Sequence, residues 1–253
     1  MLEQPKSNSA HVSGDNSVTV VCVYNDLHQF EQLKASLESQ DVAFELIGID
    51  NSGAEYKSAA SAFNSHIDAI DTPWVIFSHQ DIRFDSPGYL GRFVALMKED
   101  PSALYGVAGP VSPAKRAPVL SSISDSKYVY DSLKGKTADV FVLDECFFGC
   151  AADVARSLRF DEAICDGWHF YAVDFCLRAR LAGHSIRVLD GKGVRHLSAG
   201  TKNASFYDME RKLSARYAKE FRWIRTTCTW FPTGLLYGPF SFLRRLRHGG
   251  RIG

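Results

Sequence analysis

Trp74-Val75-Ile76-Phe77-Ser78-His79-Gln80-Asp81 is an apolar run that closes on a small polar cluster and a carboxylate. Short apolar runs bounded by polar residues read as strands buried on both faces, as in the sheet of an α/β protein. Ligands of such sheets bind beyond the carboxyl ends of the strands. Asp81 stands at that address. A carboxylate there can hold a hard divalent cation, and the cation can hold phosphate oxygens. An Asp closing a strand is also a common turn former or helix cap, so the rest of the chain has to decide.

On either side of this run, strand-like and helix-like patterns alternate. Val18–Tyr24 is β-branched and apolar; Phe30, Leu33 and Leu37 then recur at helical spacing. Phe44–Ile49 reads as a second strand ending in Asp50-Asn51-Ser52-Gly53. Ala59, Ala62, Phe63, His66, Ile67 and Ile70 form the stripe of a second helix, broken by Thr72-Pro73. Leu90–Met97 is a short helix before Asp100-Pro101, and Leu104–Ala108 a fourth strand. This order predicts a mostly parallel central sheet with right-handed crossovers, flanked by helices. Residues 111–136 are rich in Ser, Pro, Lys and Gly and read as a long loop of the lid or binding kind, with a short strand at Lys127–Tyr130. Strands at Val140–Leu143 and Ile186–Leu189, a short helix at Asp153–Leu158, a helix through Val173, Cys176, Leu177 and Leu181 ended by Gly183, and a helix over 205–222 complete the pattern.

Composition narrows the classes. With 253 residues, 45% hydrophobic and 23% charged, the chain has the make-up of a folded globular protein. The formal net charge is zero, which gives no electrostatic case for nucleic acid. The six cysteines lack a Cys-x-x-Cys pair and sit mostly in apolar runs, as buried reduced thiols of a cytoplasmic protein do. A zinc site from Cys146, Cys150 and His169 is a further possibility. Residues 1–17 are polar, read as a disordered or extended arm, and lack the apolar core of a signal peptide. No apolar run reaches the roughly 20 residues a spanning helix needs.

The order and spacing of five short elements resemble an inverting, family-2-type glycosyltransferase of GT-A fold. They are Val23-Tyr24-Asn25, Asp50-Asn51-Ser52, His79-Gln80-Asp81, the Asp161–Asp174 stretch and His196-Leu197-Ser198-Ala199-Gly200. The resemblance covers 18–200 as a catalytic domain, leaving 201–253 as a helical, basic and aromatic extension. It implies a nucleotide-diphosphate sugar donor and a glycan or lipid-linked acceptor. Tyr24, Asn25, Asp50 and Asn51 fall where the nucleotide is held: Tyr24 as an aromatic face for the base, Asp50 as acceptor from base or ribose. Asp81 matches the second Asp of the Asp-x-Asp metal motif, with His79 in place of the first. His196 matches the C-terminal His that completes the site. Mn²⁺ or Mg²⁺ is the implied cofactor, with His79 a third candidate ligand.

In the acidic pair that precedes the helix after the acceptor loop, Val173 replaces the first acid and Asp174 remains as the implied general base. Helix capping or an ion pair with Arg178 is the structural alternative. Trp168, His169 and Tyr171 beside it read as an aromatic platform for an acceptor sugar, and Asp144-Glu145 as contacts to sugar hydroxyls. Two other functions are the alternatives: a sugar-phosphate nucleotidyltransferase, whose Gly-rich phosphate loop is missing after the first strand, and an idle sugar-binding or scaffolding domain, which the incomplete acidic motifs at His79 and Val173 keep open.

From 211 onward the chain carries ten Lys or Arg against one acidic residue, Glu220, a formal charge of +9. Trp223, Trp230, Phe231, Tyr237, Phe240 and Phe242 are interleaved with that charge. Such a mixture suits the headgroup layer of an anionic membrane, contacted through 223–247 from the cytoplasmic side. A dimer surface or the root of a further domain are the rival readings.

Overall fold

The structure, a computed structural model, describes residues 16–121, 123, 133, 136–190, 192–198 and 200–247. The elements run β1 (Val18–Tyr24), α1 (Leu27–Glu38), β2 (Phe44–Asp50), α2 (Ala59–Asn64), β3 (Trp74–His79), β4 (Ile82–Phe84), α3 (Tyr89–Glu99), β5 (Leu104–Gly106), β6 (Ala108–Pro110) and β7 (Val119–Ser121). They continue with β8 (Ala138–Asp139), β9 (Phe147–Ala151), α4 (Ala152–Leu158), α5 (Tyr171–Leu181), β10 (Ile186–Val188), β11 (Val194–His196), α6 (Ala204–Arg216), β12 (Trp223–Arg225), β13 (Trp230–Pro232) and α7 (Tyr237–Arg247).

Seven strands make the central sheet in the order β2-β1-β3-β9-β5-β10-β8. β1 is parallel to both β2 and β3, and β5 is parallel to β10; β9 and β8 run against their neighbours. The expected α/β sheet, mostly parallel and flanked by helices, is what forms. Period-2 alternation splits each strand between two helical layers. In β1, Val18, Val20 and Cys22 join the cluster under α1 and α3, while Val21 joins the larger cluster under α2 and α5. Burial on both faces explains why Val18–Tyr24 and Trp74–Ser78 read as continuous apolar runs.

Local signals set the helix ends. Asp26 and Ser58 accept the amides of Gln29 and Ser61 as N-caps of α1 and α2. α5 closes at Gly183, whose φ of +94° lets His184 N–H reach Ala179 C=O at 3.0 Å.

Four expectations shift. Val140–Leu143 is buried but irregular; the strand that enters the sheet is β9, between β3 and β5. Gly149 makes that insertion possible, because a Cβ there would lie 2.4 Å from Val75 C=O. Leu104–Ala108 divides into β5 and β6, and the 205–222 helix ends at Arg216. The second helix stops at Asn64, with a 3₁₀ turn following at Ile67–Ala69. The Lys127–Tyr130 strand lies outside the described residues, as do residues 1–15 of the N-terminal arm.

The 201–253 segment, set apart in the sequence reading, shares the main core. Phe206, Met209, Leu213, Tyr217, Ile224, Phe231 and Tyr237 belong to the same buried cluster as Val21 and Phe77.

Candidate active site

The β1–β3 register puts Val23 opposite His79, so the motifs ending these strands lie side by side. Gln80 ties them: its Oε1 accepts the amides of Asn25 and Asp26, both at 3.0 Å, and its Nε2 donates to Asn25 Oδ1 at 2.9 Å. Immediately after Asp81 the chain enters β4, which pairs antiparallel with β11, His196 facing Ile82. That small ladder carries His196 to Asp81. His196 Nε2 lies 3.4 Å from Asp81 Oδ1 and 3.4 Å from His79 Nδ1, and His79 Nδ1 lies 4.0 Å from Asp81 Oδ1. Among the described residues, these three form the one cluster with ligand atoms close enough to share a cation, within 4.8 Å of one another. Cys146 and Cys150 are buried in the core and take no part.

The donor set fits a divalent metal. Burial opposes charge on Asp81, but the hydrogen bond and charge of His196, with further help from Ser198 and His79, hold its carboxyl well below the usual range. Burial and the neighbouring His196 push the His79 imidazole down to about 4, which leaves it neutral and able to ligate. His79 Nε2 meets Tyr171 Oη at 2.9 Å, and Tyr171 donates onward to Glu145 C=O at 3.3 Å. A ligating histidine is oriented in this way through its other ring nitrogen. Arg83, buried behind the motif, donates to the carbonyls of Gln80 (2.9 Å) and Ile82 (2.7 Å) and to the side chains of Gln29 and Gln32 (both 2.6 Å). It thereby fixes the backbone on both sides of Asp81 to α1.

A cavity of about 500 Å³ opens beside the cluster. His79, His196 and Ser198 line one side; Asp144, Glu145 and His169 line another; Lys202, Phe206, Thr227 and Cys228 come from the C-terminal segment. Asp144 is already engaged, accepting from Cys146 N–H at 3.0 Å and from the Thr227 hydroxyl. Burial favours its neutral form, but Thr227 and His196 outweigh this and keep it charged. Glu145 differs. Burial, then the Asp144 charge, raise its carboxyl well above the ordinary value, while the backbone amides of Tyr171, Ala172 and Phe170 partly offset the rise. Its Oε1 is shielded and has no hydrogen-bond partner. The amides reach it because Phe170 takes a left-handed conformation, φ +61°, at the start of α5. Such a conformation costs a non-glycine residue on the order of 1–3 kcal/mol and is held in place by the surroundings, here the packing of Phe170 on Phe206 and Phe231.

Asp174 does not reach this cavity. Its carboxylate is 1% exposed, takes Arg178 Nε at 2.7 Å on Oδ2, and takes the Tyr217 hydroxyl at 2.7 Å on Oδ1. Arg178 in turn donates to the carbonyls of Leu158 and Arg159, both at 2.6 Å. One turn into α5, Asp174 faces the core, and its expected role as base has no open oxygen to act through.

The nucleotide-side residues lie together at the ends of β1 and β2, Tyr24 opposite Asp50. Tyr24 stacks on Phe30 at 4.1 Å and 13°. Asp50 accepts from Ser52 N–H at 2.8 Å in a turn and bonds the Tyr24 side chain. Asn51 is buried and holds the backbone of Tyr56 through both ends of its amide, at 2.8 and 3.2 Å, so it braces the loop. Of the acceptor-side residues, His169 lines the cavity, Tyr171 supports His79, and Trp168 is exposed away from the lining set. The sequence reading assigns no role to Gln80, Arg83, Ser198 or Thr227, although Gln80 and Ser198 lie inside the quoted motifs, and Asp144, read as a sugar contact, is tied instead to Cys146 and Thr227.

Residues 18–220 match the model of a family described as glycosyltransferase-like. The chain belongs to that family. A Fuscovulum blasticum protein named "ATP synthase subunits region ORF 6" is 26% identical over 173 residues, 65% of this chain and 63% of that protein. The chain thus spans less than two thirds of that relative. TarS of S. aureus, solved as residues 1–349 with UDP, superposes with a TM-score of 0.54 and 16% identity over 79% of this chain and 64% of that one. Its complex with UDP-GlcNAc gives 0.56 and 16% over 79% and 65%. At this identity the likeness establishes the fold, and the fold is the expected GT-A glycosyltransferase architecture.

Proposed function

We propose that this chain transfers a sugar from a nucleotide-diphosphate donor to a hydroxyl of a glycan or lipid-linked acceptor, with inversion at the sugar carbon. The observation that carries the reading is the convergence of Asp81, His196 and His79 beside a cavity lined by the two histidines and Glu145. The UDP and UDP-GlcNAc complexes of TarS support a nucleotide-sugar as donor. Tyr24 and Asp50 stand ready for the base and ribose, with Asn25 beside them.

Asp81, His196 and His79 would hold the divalent cation. Two imidazoles and one carboxylate favour Mn²⁺ over Mg²⁺, which prefers an all-oxygen shell. Bound there, the cation would supply charge neutralisation for the departing diphosphate. The protein residues do the rest. Lys202 adds positive charge at the cavity wall. Glu145 takes the proton of the acceptor hydroxyl as that oxygen bonds to the sugar carbon, and the nucleoside diphosphate leaves from the opposite face. A raised carboxyl pKa suits a base that must act near neutral pH. Glu145 Oε1 has no hydrogen-bond partner, whereas the carboxylates of Asp144 and, outside the cavity, Asp174 are engaged. His169, on the cavity wall, would contact the acceptor.

A cytoplasmic location, peripheral on the inner face of a membrane, fits a lipid-linked acceptor; among the described residues no helix is long and apolar enough to cross one. Release of nucleoside diphosphate from a panel of nucleotide-sugars, with Mn²⁺ or Mg²⁺ present, tests the reading. Turnover of one donor is the expected result. Absence of turnover, alongside absence of binding for every donor, would leave a scaffold domain as the better account.

A further inference from the structure

We infer that the outward face of α7, with the turn before it, is a docking surface for an anionic lipid bilayer. α7 has two apolar faces. The inner one is fixed to the body of the protein. Tyr237 donates to Glu210 Oε1 at 3.0 Å, and Arg244 grips both oxygens of the same fully buried carboxylate at 2.6 and 3.1 Å. Phe240 packs edge-on against Trp230, which stacks on Trp223 at 4.3 Å. A helix anchored this firmly presents its other side in a defined direction.

That other side is apolar and solvent-exposed. Phe242, Leu243 and Leu246 are 55–64% exposed, and Leu235 and Leu236 in the preceding turn are 97% and 49% exposed. At about 100° per residue, positions 242 and 246 fall opposite Tyr237, Phe240 and Arg244, with 243 on the flank, so the exposure follows the helical repeat. Five large apolar side chains gathered on one exposed face call for a partner.

Charge selects the partner. From Phe221 to Gly253 the sequence has six arginines and no carboxylate, in a chain whose formal net charge is zero. A second copy would bring the same arginine-rich segment, which has no carboxylate of its own to meet it. A bilayer bearing anionic headgroups accepts both components at once, leucine and phenylalanine into the acyl boundary and guanidinium groups against phosphate. The inference extends the transfer reading by placing the protein where a lipid-linked acceptor would be met, and it is tested without sugar transfer.

The test is flotation of the full-length protein with vesicles of phosphatidylcholine alone and of phosphatidylcholine with phosphatidylglycerol. Binding is expected to the anionic vesicles only and to be released by high salt, since such attraction is screened over about 8 Å at physiological ionic strength. Leu243→Glu with Leu246→Glu should lower the partition coefficient at least about tenfold, while melting temperature and nucleoside diphosphate affinity stay at wild-type values. Failure to float at low salt, or equal flotation of the double variant, would overturn the inference. So would a wild-type dimer that the double variant converts to monomer, which would assign the face to a second copy. Because nucleotide binding is read separately, loss of flotation leaves the donor assignment standing.

Discussion

Asp81 Oδ1 and His196 Nε2 are 3.4 Å apart because Ile82 and His196 face each other in the β4–β11 ladder. A two-strand pairing thus assembles the cation cluster from distant parts of the chain. It also makes the cluster depend on Arg83, which holds the carbonyls on both sides of Asp81.

Replacing Glu145 with Gln keeps size and removes the base. Transfer should fall about 10²–10⁴-fold, with donor affinity unchanged. The reaction needs the carboxylate, so wild-type activity is lost as pH falls through a pKa raised well above 4.5 by burial and Asp144. The Gln variant should show no such acid limb. Rate–pH profiles of the two proteins check this, and near-normal transfer by the variant would pass the role to His169.

Asp174→Asn should act on stability. It removes the charge that pairs with Arg178 while the Tyr217 contact can persist, a loss of about 1–3 kcal/mol. Melting temperature should drop by about 2–4 °C for each kcal/mol. The folded fraction should transfer sugar at a near-normal rate. A stable variant without activity would restore Asp174 as a participant in the chemistry.

Gly48 faces Phe30, and a Cβ at that position would lie 2.3 Å from Phe30 Cζ. Gly48→Ala should displace Phe30 and with it the stacked Tyr24, at about 1–3 kcal/mol of overpacking. Nucleoside diphosphate affinity should weaken in calorimetry, while Mn²⁺ binding to the bare protein holds.

Glu210 is fully buried and bonds Thr229, Tyr237 and Arg244. Glu210→Ala leaves the arginine uncompensated, which typically costs about 3–5 kcal/mol. A single cooperative transition at lower temperature is expected if 201–247 is integral to the fold. Loss of α7 alone, with an unchanged main transition, would make it a separate unit.

The first and third strands were legible because they are buried on both faces, and the second, a half-exposed edge strand, because it too ends in a polar cluster. β9 was not, because Phe147-Phe148-Gly149 carries no alternation and its place depends on a glycine fitting under Val75. The cluster of Asp81, His196 and His79 could be named from its motif order, but the β4–β11 pairing that builds it is only three residues long. Asp174 misled for a physical reason: an Asp early in a helix looks alike from the sequence whether it faces a cavity or the core. Glu145 was named only as a sugar contact, since the amides that reach its carboxyl depend on the left-handed turn at Phe170, which no sequence pattern announces.

The most direct test of the account is calorimetric titration of a nucleoside diphosphate with Mn²⁺ and with EDTA, for wild type and Asp81→Ala. The account predicts tighter binding with Mn²⁺ in the wild type and no such gain in the variant. Equal affinity of the wild type in both conditions would contradict it.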